Sequence, residues 1–220
     1  MNNKITDYRS IVFDCDGVLL NSNRAKTQAF YRAALAYGET AAQALVDYHV
    51  VHGGVSRYRK FAYFLEHLVP QDAEGPGLEA LLNHYAEQSH KALLECDLAP
   101  GLAELRQLTP QANWLIVSGS DQTELRDIFA QRGLADWFDG GIFGSPDAKD
   151  DIVQRERSNG TIREPALLAG DSRFDHVAAQ TAGLDFVFVS AWTEFADWRD
   201  YCQKRQLARI EYIADLLAKT

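Results

Sequence analysis

The sequence predicts an α/β protein: a parallel, doubly wound sheet with an all-helical block inserted after its first strand. Two observations support this prediction. From residue 100 onward, short apolar strand signals alternate with helical stretches, a pattern typical of parallel strands joined by right-handed crossovers. Between residues 24 and 94, in contrast, apolar residues recur at helical spacing with almost no strand signal.

The predicted elements follow one another in a regular order. The first strand spans residues 10–13 and is apolar almost throughout, as expected for a strand buried on both faces. The later predicted strands are residues 114–117, 141–143, 166–169 and 186–189. The predicted helices among them are residues 102–108, 122–132, 150–157 and 175–182. Residues 195–220 have helical character and are expected to pack on the sheet.

These elements predict two domains. Residues 1–20 and 96–220 would form a Rossmann-like core, and residues 21–95 would form a domain of three or four helices. With 220 residues, 46% of them hydrophobic, the chain is long enough to bury a substantial core.

Charge and cysteine content limit the classes of partner. The chain has 22 basic and 31 acidic residues, a formal net charge of −9, which argues against binding nucleic acid or an anionic membrane surface. No apolar run approaches the ~18 residues of a membrane span, and no signal peptide precedes the first strand. Cys15, Cys96 and Cys202 are widely separated, so we expect a reducing, cytoplasmic compartment.

Asp14 and Asp16 follow the first strand and are one residue apart. Alternate residues of a strand point to the same side, so the two carboxylates can converge on one small volume. The two negative charges repel each other unless a cation binds between them or one carboxyl group keeps its proton. The pair therefore predicts a reactive site, with one carboxylate as nucleophile, the other as proton donor and a metal ion balancing the charge.

Polar residues of catalytic type also follow the later strands. In open α/β sheets, ligands bind at the carboxyl ends of the strands, so these residues should share one crevice with the aspartate pair. They are Ser118, Lys149, Asp171 and Asp175, together with Gly119, which offers a backbone N–H group next to Ser118. Together they suit phosphoryl transfer: an aspartate attacks phosphorus, Mg²⁺ and a lysine neutralise the transferred group, and a hydroxyl and backbone N–H groups hold it.

The four strand-end motifs, in this order, resemble those of the haloacid dehalogenase superfamily of aspartate-nucleophile phosphohydrolases. The motifs are Asp14-x-Asp16-Gly17-Val18, Ser118, Lys149 and Gly170-Asp171-Ser172-x-x-Asp175. The position of the helical insertion matches the helical cap domain found in the branch with phosphoglycolate phosphatases and β-phosphoglucomutases. We therefore call residues 21–95 the cap.

The resemblance implies a role for each residue. Asp14 attacks phosphorus, and Asp16 protonates the leaving oxygen and then activates water. Ser118, Gly119 and Lys149 bind the phosphoryl group. Asp14, Asp16 (through its backbone carbonyl) and Asp171 hold Mg²⁺. Asp175 completes the acidic cluster and orients Lys149.

One short segment of the cap carries a further expectation. Gly54-Val55-Ser56-Arg57 resembles a cap loop of β-phosphoglucomutase-like enzymes, in which the arginine contacts a distal anionic group of the substrate. Arg57 is thus a candidate substrate-binding residue, and the alternative is a surface arginine without substrate contact. Arg59 and Lys60 are expected to lie on a solvated helix face.

The predicted function is a Mg²⁺-dependent phosphatase that hydrolyses a small phosphorylated metabolite, a sugar or sugar-acid phosphate, through an aspartyl-phosphate. One alternative is a phosphomutase of the β-phosphoglucomutase type, which shares the core residues but tends to have glutamate where this chain has Gly170. A second is a noncatalytic regulatory or binding protein on the same fold. The chain is expected to be a monomer or a homodimer.

Overall fold

A computed structural model describes residues 3–218 of the chain. Within these residues, six parallel strands form one sheet with the order β3-β2-β1-β4-β5-β6. The strands are β1 Ser10–Phe13, β2 Asn113–Asp121, β3 Gly141–Ser145, β4 Ala166–Gly170, β5 Asp185–Val189 and β6 Ala208–Ile210. The predicted α/β fold with a parallel sheet is therefore confirmed.

Nine α-helices lie within the described residues. Four of them follow β1 in the chain and precede α5: α1 Asn23–Ala34, α2 Glu39–Val51, α3 Arg57–Tyr63 and α4 Leu78–Glu95. The other five are α5 Leu102–Leu108, α6 Gln122–Gln131, α7 Lys149–Ser158, α8 Arg173–Ala182 and α9 Trp198–Arg205. None of the helices in this part of the chain is both long enough and apolar enough to cross a membrane.

The prediction for the C-terminal stretch was wrong in one respect. Residues 195–218 contain α9, but they also add β6, which pairs with β5 at the sheet edge. β6 is only three residues long and includes Arg209, so it lacks the apolar run that identifies a buried strand. The predicted stretch also included residues 219–220, and the predicted core included residues 1–2; both pairs lie outside the described residues.

Apolar side chains on the two faces of the sheet form separate clusters. Phe13 and Trp114 belong to the larger cluster, under α5 and α6, whereas Val12 and Leu168 belong to the smaller one, under α7 and α8. Neighbouring residues such as Val12 and Phe13 fall into different clusters because successive strand residues face opposite sides. The four helices between β1 and α5 bury a third cluster of their own around Phe30.

The register of the central strands sets the position of the site. Phe13, the last residue of β1, lies beside Ile116 in β2 and Ala169 in β4. The residues that follow these three positions therefore emerge at the same edge of the sheet. The β2–β3 pairing is interrupted between Val117 and Asp121, so the backbone of this segment departs from regular strand geometry at that edge.

Candidate active site

Three carboxylates meet where β1 and β4 end. Oxygen atoms of Asp14, Asp171 and Asp175 lie within 4.8 Å of one another, and all three residues are buried. Burial and the neighbouring carboxylates raise the pKa of both Asp14 and Asp171. An all-oxygen donor set of this kind suits a hard divalent cation, which would relieve the repulsion among the carboxylates.

Lys149 contacts two of these carboxylates. Its Nζ lies 2.8 Å from Asp14 Oδ1 and also donates to Asp175, and its side chain is fully buried. Burial alone would lower the pKa of Lys149, but the two acids raise it, so the amine stays charged. Lys149 is the first residue of α7, which places it at the same edge as the strand ends.

Asp175 is held by the first turn of α8. Its Oδ2 accepts hydrogen bonds from the Ser172 hydroxyl at 2.6 Å and from the Ser172 backbone N–H at 3.0 Å. This capping box fixes Asp175 with its other oxygen toward Lys149. Next to it, a Cβ on Gly170 would lie 2.3 Å from Asp175 Cβ, so this packing requires glycine at position 170.

The Asp16 side chain faces the cap and lies outside the carboxylate cluster. Its Oδ2 accepts from Lys26 Nζ at 2.6 Å and from the Ser120 hydroxyl at 2.6 Å, and its Oδ1 accepts from the Ser22 hydroxyl at 2.5 Å. Burial would raise the pKa of Asp16, but the charge of Lys26 and these hydrogen bonds lower it. The carboxylate is therefore held ionised and in a fixed orientation.

Ser118 and Gly119 lie in the irregular part of β2. The Ser118 hydroxyl is buried and accepts a hydrogen bond from Ser120 N at 3.1 Å. A Cβ on Gly119 would lie only 2.2 Å from the carbonyl oxygen of Gly54, so the cap backbone touches the core here. Only a residue without a side chain permits this approach.

Three polar contacts join the cap to the core beside this approach. Arg57 Nη1 lies 2.7 Å from Glu124 Oε2, and Nη2 lies 3.9 Å from Asp121 Oδ2. The Tyr58 hydroxyl donates to Asp121 Oδ2 at 2.7 Å. We call these four residues the seam. Arg57, proposed from sequence as a substrate contact, is therefore already paired with acids of the core.

Six of the eight predicted site residues border one cavity between cap and core. It measures about 60 Å³, a volume that a few water molecules would fill. The sheet side contributes Asp14, Asp16, Ser118, Gly119 and Asp171. The cap side contributes Lys26, Phe30, His49, Gly54, Val55, Arg57, Lys60 and Tyr85. Lys149 and Asp175 lie behind Asp14 and contact it or each other.

Sequence reasoning missed three residues that border this site. Lys26 pairs with Asp16, Lys60 is buried at the cavity, and Asn23 Nδ2 donates to Asp171 Oδ2 at 2.8 Å. The expectation that Lys60 lies on a solvated face is wrong, because it is only 2% exposed. The sequence did contain a signal for burial, because residues three or four apart share a helix face. Lys26 lies on the same face of α1 as the buried residues 29, 30 and 33, and Lys60 lies four residues before the buried residue 64.

Residues 8–189 match the family model of haloacid dehalogenase-like hydrolases. The chain belongs to this family. The predicted membership, and with it the prediction of a hydrolase, is therefore confirmed.

The chain is also similar to individual known proteins. A phosphorylated carbohydrates phosphatase from Thermotoga maritima is 23% identical over 188 residues, which cover 81% of this chain and 83% of the relative. The solved structure of a predicted phosphoglycolate phosphatase from Haemophilus somnus is 16% identical with a TM-score of 0.75, covering 97% and 98% of the two chains. CbbY from Rhodobacter sphaeroides, solved with phosphate, is 20% identical with a TM-score of 0.67, covering 95% and 96%.

Proposed function

We propose that this haloacid dehalogenase-like hydrolase is a Mg²⁺-dependent phosphatase that acts on a small phosphorylated sugar or sugar acid. The observation that carries the proposal is the placement of Lys149 between Asp14 and Asp175 in a buried carboxylate cluster. A noncatalytic protein on this fold would have no need for a buried lysine pressed against a would-be nucleophile. The intact set therefore favours catalysis.

Asp14 is the proposed nucleophile. Lys149 contacts Asp14 Oδ1 at 2.8 Å, so the amine opposes the rise in the Asp14 pKa that burial causes, and it lies next to the oxygens of an arriving phosphoryl group. Ser118 and the N–H group of Gly119 border the same cavity and would donate to those oxygens. Attack forms an acyl-phosphate bond on Asp14 and releases the alcohol of the substrate.

Asp14, Asp171 and the backbone carbonyl of Asp16 are the proposed holders of Mg²⁺. When bound, the ion would supply positive charge that offsets the negative charge of the carboxylates and the phosphoryl group. Asn23 holds one oxygen of Asp171 in place. Asp175, the third member of the cluster, is occupied with Lys149 and Ser172 and is proposed to orient the lysine.

Asp16 is the proposed proton carrier. Its contact with Lys26 holds it ionised, which is the form that accepts a proton from the water attacking the aspartyl-phosphate. In the preceding step the same carboxyl group would deliver a proton to the leaving oxygen. The Lys26 contact therefore favours the hydrolysis of the aspartyl-phosphate, in which Asp16 accepts a proton. The earlier step, in which the substrate alcohol leaves, requires Asp16 to be protonated.

The named relatives support the proposal in outline. One is a phosphatase of phosphorylated carbohydrates and another was solved with phosphate, so both fit a small phosphorylated substrate. We further propose that the enzyme acts in the cytoplasm as a monomer or homodimer, without nucleic acid or membrane partners. The three cysteines are free thiols, as expected in a reducing compartment.

The phosphomutase alternative has less support. Relatives of that type tend to have glutamate before the metal-binding aspartate, and here Gly170 packs so tightly on Asp175 that no side chain fits without a shift. A mutase would also transfer its phosphoryl group to a second substrate molecule and release little phosphate. The two functions thus differ in a quantity that is simple to measure.

The decisive experiment is a phosphate-release screen over about 100 phosphorylated metabolites with Mg²⁺. We expect at least one small sugar or sugar-acid phosphate to be hydrolysed, and Asp14→Asn to lower turnover at least ~10⁴-fold, as loss of a nucleophile does. Asp127→Asn, an exposed aspartate of α6, serves as the matched control and should retain full activity. Unchanged turnover in Asp14→Asn would refute the assignment.

A further inference from the structure

Lys60 is a buried cation that faces the cavity without an acidic partner. It lies in α3, is 2% exposed, and its only hydrogen-bond acceptors within residues 3–218 are Nδ1 of His49, at 2.6 Å, and the His49 carbonyl, at 3.4 Å. No carboxylate in the same part of the chain lies within ion-pair distance of its Nζ. Lysine is almost never fully buried unless it is paired.

The other cations around the cavity are already matched with acids. Lys26 pairs with Asp16, and Arg57 pairs with Glu124. Among the cations of residues 3–218 that line this cavity, Lys60 is thus the one that remains for a ligand. Burial, together with the charge of Lys26, lowers the pKa of Lys60 to about 7, and an anion bound beside it would favour the charged form.

His49 adds a second donor to the same place. Burial and the nearby lysines lower the pKa of His49 well below its ordinary value, so the ring is neutral. Since Nδ1 accepts from Lys60, the ring proton lies on Nε2, which has no hydrogen-bond partner among the described residues. The Phe30 ring, centred 4.4 Å from that of His49, covers the pair from one side.

We propose that Lys60 and His49 form an anion subsite that binds a carboxylate on the far end of the substrate. The inference rests on the proposed phosphatase function, because Asp14 would hold the phosphoryl group on the opposite side of the same cavity. One ammonium and one neutral N–H match a compact anion of single charge. The substrate class is therefore a short phosphorylated carboxylic acid.

Matched substrate pairs test this subsite. 3-Phosphoglycerate and glycerol 3-phosphate have the same three-carbon ester and differ only in having a carboxylate or a hydroxymethyl group; 2-phosphoglycolate and 2-hydroxyethyl phosphate form the two-carbon pair. We expect the wild-type enzyme to prefer the acid in at least one pair by kcat/KM. Lys60→Met should reduce that preference ~10- to 100-fold, the usual effect of losing a hydrogen bond to a charged group.

Two further variants control for charge and folding. Arg59→Met removes a cation one residue away on the exposed face of the same helix and should leave the preference unchanged. Lys60→Arg keeps the charge and should restore part of the preference lost in Lys60→Met. Thermal denaturation of each variant checks that the comparison is made on folded protein.

Equilibrium binding separates this inference from the proposed function. The four compounds are titrated into Asp14→Asn protein, with and without Lys60→Met, in the presence of Mg²⁺. Tighter binding of the acids that disappears with Lys60→Met supports the subsite even if no phosphate release is found. If phosphate is released but neither pair shows a preference that depends on Lys60, or if neither acid binds, the subsite is refuted.

Discussion

Lys26, Lys60 and Lys149 are all buried near the cavity, yet their electrostatic surroundings differ. Burial acts to lower the pKa of each amine, and neighbouring carboxylates outweigh it at Lys26 and Lys149. At Lys60 burial prevails, because its closest partner is the neutral ring of His49. The first two lysines are therefore permanent cations, whereas Lys60 changes charge near neutral pH.

This difference predicts how stability depends on pH. The pKa of Lys60 falls from 10.5 to about 7 on folding, so the unfolded chain binds an extra proton between these values. As pH falls from 10.5 to 7, each unit removes about 1.4 kcal/mol from the free energy of unfolding. Lys60→Met abolishes this loss, which sums to about 5 kcal/mol at pH 7, and we expect its Tm there to exceed that of wild type by about 10–20 °C.

The measurement is thermal denaturation of both proteins from pH 7 to pH 10. The gap in Tm should narrow as pH rises, because the amine of the unfolded wild-type chain then also becomes neutral. Arg59→Met, which changes an exposed cation, should show no such trend. A gap that stays constant with pH would contradict the assigned pKa of Lys60.

The sequence predicts the reactive residues better than the residues that support them. Asp14, Lys149 and Asp171 were found because each follows a strand, and parallel strands end at one edge. Lys26 and Lys60 were missed because a lysine on a helix is normally solvated, and sequence alone does not show what covers that face. Their spacing with apolar residues indicated burial, but a long aliphatic side chain also fits that pattern without burying its amine.

At the level of elements, the cap and core meet through two helix N-termini. Arg57 and Tyr58 lie in the first turn of α3, and Asp121 and Glu124 lie at the start of α6. The two acids are favourably placed at the positive end of the α6 dipole, and Asp121 also caps that helix by accepting from Glu124 N at 2.9 Å. The same acids therefore stabilise α6 and hold the cap.

Gly119→Ala should displace the cap from its observed position. The new Cβ would lie 2.2 Å from the Gly54 carbonyl oxygen, so the cap loop must retreat by about 1 Å to reach ordinary contact distance. Displacements of that size in a catalytic site cost about 100-fold in rate. We expect a fall of this order in kcat/KM for the best substrate of the phosphate-release screen.

Gly77→Ala is the matched control for this prediction. Its φ is negative and an added Cβ would meet nothing within 4 Å, so activity should not change. Far-ultraviolet circular dichroism and Tm of both variants establish that the fold is retained. Equal activity of Gly119→Ala and wild type would show that the close approach has no role in turnover.

Element boundaries show where sequence patterns stop being informative. The strand predicted at residues 114–117 continues in the structure to Asp121, through the Ser118-Gly119-Ser120 segment. In the sequence, polar residues after an apolar strand resemble a turn. The structure assigns them to the strand because Asp121 pairs with Ser145 of β3 beyond the irregularity that follows Val117. β6 was missed for a related reason, since an edge strand needs an apolar pattern on one face only.

On the scale of the whole molecule, the carboxylate cluster joins distant parts of the chain. Asp14 follows β1, whereas Asp171 and Asp175 follow β4 and begin α8, more than 150 residues later. A cation bound by Asp14 and Asp171 would cross-link the two strands at the centre of the sheet. Binding to the folded state alone stabilises that state by mass action.

Removing divalent metal should therefore lower both activity and stability. We expect EDTA to abolish phosphate release and Mg²⁺ to restore it. Mg²⁺ at about 100 times its Kd should add about 2.7 kcal/mol to the free energy of unfolding, measured by denaturation with and without the ion. Asp171→Asn should lose this Mg²⁺-dependent increment, whereas Asp127→Asn should keep it. An increment that survives in Asp171→Asn would place the metal elsewhere.

The seam also bears on the turnover rate of the enzyme. The side chains of Arg57, Asp121 and Glu124 are only 9–15% exposed, and the cavity beneath them measures about 60 Å³. We therefore expect the Arg57 and Tyr58 contacts to break when the substrate enters and again when phosphate leaves. Partly exposed polar contacts can open and re-form quickly, whereas an apolar interface of the same size would hold the product inside.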